Sequence, residues 1–302
     1  MTLLVTGAAG FVGQAIVRRL AETNRQDVRL VDVAPPADLP TGRFEVLTGD
    51  LLDPDVRARA VQGVDKIVHL VSLPGASAER DVALSRRVNL DMTMALAEAL
   101  AEQARDGARP RFVFASSIAV LGGFHGAVDD NAQPAPSISY GAHKWMAEIG
   151  LSDLHRRGQI QTLSLRLPGV VARPRGATGL KSAFMSDVFH AAKAGEPFTF
   201  PVSREATFWL MSADRAARNL LHALDLPALD GRSLTLPALR CSAAKLAAAL
   251  FSSLEAVRYD PDPLTDQVFG RYPDLSADAA EALGFRDDLD LPGLIEAVWT
   301  SL

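Results

Sequence analysis

Residues 2–13 read TLLVTGAAGFVG, and this stretch decides the fold. Thr2 to Thr6 is a short apolar run closed by a glycine, the pattern of a buried strand. Gly7 permits a tight turn, Gly10 lets backbone amides approach a pyrophosphate, and Gly13 allows close helix–strand packing. Phe11, Ala15, Ile16 and Leu20 then recur at helical spacing and predict a helix over Phe11–Thr23. An anion at that helix start meets unpaired N–H groups and the positive end of the dipole.

Outward from this unit the chain alternates short strands with helical stretches. Strands are expected at Val28–Val33, Phe44–Leu47, Lys66–Val71, Arg111–Ala115 and Thr162–Leu167, with helices at Asp81–Ala104 and Tyr140–Arg157. Alternation of this kind implies an α/β chain with a Rossmann-type doubly wound parallel sheet. After Pro168 the rhythm breaks: Pro168, Pro174, Gly176, Gly179, Pro197 and Pro201 predict irregular, site-forming segments, and the remainder reads as helices with loops. The expected organisation is a dinucleotide-binding domain over 1–167 and a smaller α/β substrate-binding region over 168–302. A strand at Ser233–Leu236 is expected to return to the main sheet.

Composition narrows the function classes. Among 302 residues, 31 basic and 36 acidic side chains give a net charge of −5 without a charge run, which argues against nucleic-acid binding. Cys241 is the single cysteine, so an intrachain disulfide and a cysteine metal cluster are excluded. The histidines (His69, His125, His143, His155, His190, His222) show no metal-ligand spacing, and no metal is expected. Neither a signal peptide nor an apolar run of membrane-spanning length is seen, so a cytoplasmic protein is expected.

Asp32 ends the second strand, nineteen positions past Gly13. A carboxylate there accepts hydrogen bonds from the adenosine ribose hydroxyls and repels a 2′-phosphate, which selects NAD over NADP. Asp50, after the third strand, is either an adenine contact or a loop acid.

Tyr140 and Lys144 stand four residues apart on one helix face. A phenol titrates near ~10, and a neighbouring ammonium stabilises its phenolate enough to make it a base near neutrality. Ser116 and Ser117 follow the fifth strand, at the sheet edge where ligands of this fold bind. Ser116 reads as a strand-end or capping residue, Ser117 as a hydroxyl that holds a substrate oxygen. Asn89 is a poor mid-helix residue, suited to bonding backbone or to a catalytic role.

With those residues in view, GAAGFVG, Asp32, HLVS (69–72), VNL (88–90), FASSIAVLG (114–122), YGAHK (140–144) and LRLPGVV (165–171) resemble the extended short-chain dehydrogenase/reductase family of NAD-dependent epimerases and dehydratases. The likeness runs through essentially the whole chain in order. It implies Ser117, Tyr140 and Lys144 as the catalytic trio and NAD as cofactor. It also implies cofactor contacts at Phe11, Val12, Leu51, Leu70, Val71, Ser72, Asn89, Pro168 and Val170, and a homodimer formed through the two long helices.

Leu121 stands where nucleotide-sugar enzymes of the family carry a tyrosine, and residues 168–174 replace their N-x-Y-G-P type segment. SSIAVLGG, LRLPGVVARPR and PVSREATFWLMS (201–212) resemble instead a subgroup that oxidises the C2 hydroxyl of a four-carbon sugar acid. Such a substrate is expected to contact Ser72, Ser117, Ile118 and Tyr140. Its carboxylate calls for an arginine, with Arg175 and Arg204 as candidates beside Arg173. Phe208 and Trp209 read as packing residues.

Overall fold

The computed structural model describes the chain apart from Asn24, Asp38, Pro40, Thr41, Arg105, Asp106, His125 and residues 177–180. His125 and Gly179 of the sequence reading therefore lie outside the described residues. The chain divides into two compact units. One comprises Met1–Val120, Pro136–Arg166 and Ala217–Leu234; the other comprises Leu121–Ala135, Leu167–Ala216 and Thr235–Leu302.

The first unit carries a seven-stranded sheet in the order β10-β6-β5-β4-β1-β2-β3. Its strands are β1 (Thr2–Thr6), β2 (Val28–Asp32), β3 (Glu45–Thr48), β4 (Val64–His69), β5 (Arg111–Ser117), β6 (Gln161–Leu167) and β10 (Ser233–Thr235). The pairs β1–β2, β2–β3, β1–β4 and β4–β5 are parallel. Strand order reverses at β1 and β4, so the loops leaving their carboxyl ends flank the point where ligands of such sheets bind.

The sheet's continuous apolar runs suit strands covered on both faces. Leu4, Val31, Ile67, Phe112 and Phe114 pack with Met92 and Leu96 of α5 (Met92–Glu102) and with Ala147, Leu151 and Leu154 of α6 (Ser139–Arg156). The other helices of this unit named below are α1 (Phe11–Glu22), α2 (Pro54–Val61), α3 (Gly75–Arg80) and α4 (Val82–Arg86).

The expected single helix over Asp81–Ala104 is divided. Asp81 leaves helical geometry (φ −138°, ψ 83°) and accepts a hydrogen bond from Leu84 N, capping α4. A π-helical turn at Arg87–Asp91 then separates α4 from α5. Asn89 sits in that turn, and such turns gather at functional sites.

The second unit departs further from the sequence expectation. Segments read as irregular or helical contain β7 (Gly169–Val171), β8 (Phe198–Phe200), β9 (Thr207–Ser212), β11 (Leu239–Ser242) and β12 (Val257–Tyr259). They form a three-stranded sheet β11-β9-β7 and a pair β12-β8. In β9 every residue from Phe208 to Ser212 is buried, so the strand shows no alternation to betray it. Phe208 and Leu210 pack in a core with Phe184, Phe189 and Phe200, while Trp209 donates through Nε1 to Pro273 O at 2.8 Å.

Candidate active site

The turn between β1 and α1 is shaped by missing side chains. Gly7 has φ +71°, and a Cβ on Gly13 would lie 2.1 Å from Gly7 O. No side chain caps the start of α1 at Gly10, and no acidic residue stands in its first turn. Phe11 and Val12 open the helix half-buried. A pyrophosphate fits this cradle because a Cβ at Gly7 would crowd Val71 N and one at Gly13 would fill the turn.

Asp32 ends β2 with its carboxylate aimed at that turn. One oxygen accepts from Ala9 N at 2.9 Å and the other from Val33 N at 2.7 Å. Asp50 is exposed and accepts from Leu52 N, whereas the Leu51 side chain joins the core. Leu70, Val71 and Ser72 leave β4 half-buried, and Leu70 N donates to Thr6 O at 3.2 Å. Asn89 clamps the end of this loop, accepting from Leu73 N at 2.8 Å and donating to Leu73 O at 2.9 Å.

The sequence reading did not single out His69 beneath the loop. Its Nδ1 contacts Thr6 Oγ1 at 2.7 Å and its Nε2 contacts Thr93 Oγ1 at 3.0 Å, between Phe112 and Phe114. Burial, reinforced by the Lys144 charge, pulls the ring down to about 3.

Across the sheet edge, α6 carries Tyr140 one turn before Lys144, and Lys144 reaches the end of β5. Its first turn approaches closely because position 141 is glycine: a Cβ there would meet Ala119 O at 2.2 Å. Lys144 is 1% exposed and its Nζ donates to Ala115 O at 2.9 Å. That amine lies 4.5 Å from the Phe114 ring centroid and 5.8 Å from that of Tyr140. Burial pulls Lys144 down to about 7, against the opposing pull of the Glu148 carboxylate. Ser117 is half-buried at the end of β5 and accepts from Ala119 N at 3.1 Å; Ile118 beside it is buried.

Ser116 does more than end a strand. It donates to the buried Glu148 carboxylate at 2.5 Å, and Glu148 also receives Arg166 Nη2 at 2.8 Å. His143 reaches the Asn89 clamp through Ser85: Ser85 Oγ lies 2.8 Å from His143 Nδ1 and accepts from Asn89 Nδ2 at 3.0 Å.

The remaining expected residues belong to the second unit. Pro168 is buried ahead of β7 and Val170 is half-buried within it. Arg175 pairs with Glu196 at 2.7 Å on the surface, Arg173 carries the Ser182 contact at 3.5 Å, and Arg204 is exposed. Among the described residues no cluster of potential metal ligands occurs, and no helix is long and apolar enough to cross a membrane.

Comparison with known proteins places this chain in a family. The family model for the NAD dependent epimerase/dehydratase family matches residues 3–232. The chain is similar to D-erythronate dehydrogenase of Cupriavidus necator, 32% identical over 98% of this chain and 97% of that one. It is also similar to D-erythronate dehydrogenase of Haemophilus influenzae, 27% identical over 98% of each chain. Among solved structures, the nucleoside-diphosphate-sugar epimerase from Agrobacterium tumefaciens superposes with a TM-score of 0.86 at 27% identity, over 99% of this chain and 92% of that one. The chain thus belongs to the NAD dependent epimerase/dehydratase family, as an NAD-dependent dehydrogenase of the extended short-chain dehydrogenase/reductase type.

Proposed function

We propose that the protein oxidises the C2 hydroxyl of a small sugar acid of the D-erythronate kind to the 2-oxo acid. NAD supplies the acceptor for the hydride that leaves C2. Tyr140, as phenolate, takes the hydroxyl proton, and Ser117 holds the same oxygen. Lys144 stabilises the phenolate by its charge and orients the nicotinamide ribose.

The observation that carries this reading is the Lys144 amine. It is fixed to Ala115 O, two residues before Ser117, and stands on the Tyr140 face of α6. An ammonium so buried spends its charge on its neighbours rather than on water. The kinship with two D-erythronate dehydrogenases supports the substrate class.

In this reading the NAD site comprises Gly7, Gly10, Phe11, Val12, Gly13, Asp32, Asp50, Leu51, Leu70, Val71, Ser72, Asn89, Pro168 and Val170. The substrate meets Ser72 and Ile118, and Arg204 receives its carboxylate. Arg175 is the weaker anchor because Glu196 already neutralises it. A cytoplasmic homodimer pairing α5 and α6 completes the proposal, with Met146 and Ile149 exposed on α6.

A panel of four- to six-carbon sugar acids with NAD tests it through the absorbance of the reduced cofactor. The expected result is one NADH formed per D-erythronate consumed. Consumption without NADH, or turnover of nucleotide sugars alone, refutes it.

A further inference from the structure

We propose that Glu148, held between Ser116 and Arg166, is a positioning residue that locks the end of β5 to α6 and so sets Ser117 against Lys144. The proposal rests on the reading of Ser117, Tyr140 and Lys144 as the reacting trio.

Tyr140, Lys144 and Glu148 follow one another at four-residue intervals, so they share one face of α6. Two of them grip consecutive residues of β5. Lys144 Nζ donates to Ala115 O at 2.9 Å, and the Glu148 carboxylate accepts from Ser116 Oγ at 2.5 Å. The residue after this pair of attachments is Ser117. A strand end held at two successive positions by one helix face cannot slide or rotate without breaking a buried polar contact.

Arg166 makes the second attachment rigid. Its Nε lies 3.1 and 3.3 Å from the two Glu148 oxygens and its Nη2 lies 2.8 Å from Oε2. Glu148 is 3% exposed and Arg166 9%. A fork of this kind fixes the plane of the carboxylate, leaving Oε1 directed at Ser116. Two apolar residues could fill the same volume without the desolvation cost, so stability alone does not account for an ion pair here.

The pair also bears on the charge near the trio. Lys144 is faced by Glu148 on its own helix, by the neutral His69 from β4 and by the Tyr140 phenol, while Arg166 on β6 is held by Glu148. The Glu148 carboxylate favours the protonated amine. Loss of that carboxylate leaves Lys144 less charged and the Tyr140 phenolate less stabilised.

The test compares Ser116→Ala and Glu148→Gln with the parent protein, using D-erythronate and NAD. Ser116→Ala keeps the ion pair. It should lower kcat roughly tenfold or more with the KM for NAD unchanged within about twofold, as expected when reacting groups are misplaced but still present. Glu148→Gln should in addition move the acid limb of the pH profile to higher pH. An ultraviolet titration of the phenolate band, with Tyr140→Phe as the blank, should place the Tyr140 pKa higher in Glu148→Gln. That measurement needs no substrate.

Should Glu148→Gln fail to fold, Ser116→Ala decides by its kcat and KM. Parental kcat in Ser116→Ala, or an unmoved phenol titration in a folded Glu148→Gln, overturns the proposal. Failure of the underlying reading looks different, because Tyr140→Phe itself would then remain active.

Discussion

At the glycine turn the backbone does the building, whereas at the end of β5 buried side chains do it. Gly7, Gly10 and Gly13 shape the first region by what they lack, and Asp32 reaches into it with a charge. The second region is assembled from Lys144, Glu148, Arg166 and Ser116, nearly all removed from water and bonded to one another. The contrast has a physical consequence. A backbone cradle resists pH but tolerates no added atom, while a buried polar cluster tolerates modest changes of shape but depends on charge. The first suits a fixed anionic ligand and the second suits moving a proton.

The largest expected effect tests the polar end. Tyr140→Phe removes one oxygen and should reduce turnover about a thousandfold while NAD affinity, followed by titration calorimetry, stays within a few-fold. At the glycine end, Gly13→Ala adds one methyl 2.1 Å from Gly7 O. Overpacking of this kind costs about 1–3 kcal/mol, so NAD affinity should fall up to about a hundredfold, with a lower melting temperature. An alanine variant that binds NAD normally would show that the turn is not rigid and would break the contrast.

The same contrast governs what the sequence disclosed. The glycine turn, Asp32 and the Tyr140–Lys144 pair are local patterns, written within a strand, a turn or two turns of helix. The Ser116–Glu148–Arg166 contact joins three elements, so no spacing announces it. Its one local trace is Glu148, an acid continuing the Tyr140–Lys144 face of α6. Helical period likewise misses the π-turn at Arg87–Asp91, because the apolar pattern continues through it. In the second unit β7 and β8 have three residues each, and β9 is an unbroken apolar run from Phe208 to Met211, so strand period had nothing to register. The parallel sheet was legible because strands such as β1, β4 and β5 are bounded by turn residues and give way to helical stretches.

Asp32→Asn sharpens the account of the carboxylate at the glycine end. Asparagine keeps an acceptor for Ala9 N but removes the negative charge facing the turn. Charge-assisted hydrogen bonds are worth about 1.5–3 kcal/mol, so the NAD-over-NADP ratio of kcat/KM should shrink roughly tenfold or more. Steady-state kinetics with both cofactors measures it, and an unchanged ratio would remove Asp32 from cofactor selection.

His69 is where the contrast blurs, because a titratable ring lies directly under the backbone cradle, bonded to Thr6 at the end of β1. The folded ring stays neutral down to about 3, chiefly because it is buried and secondarily because Lys144 is near. In the unfolded chain the same ring takes a proton near its ordinary 6.5. The unfolded state therefore binds more protons between those values, and the stability present above pH 6.5 drains away as pH falls toward 3. The slope for one such group approaches about 1.4 kcal/mol per pH unit once the unfolded ring is fully protonated. His69→Gln retains polar atoms for the two threonines without titrating. Its urea-unfolding free energy should decline less steeply than that of the parent between pH 6.5 and 4.5. Parallel declines would mean that the ring is already charged in the fold. The glycine end would then rest on a cation, and its independence of pH would need another explanation.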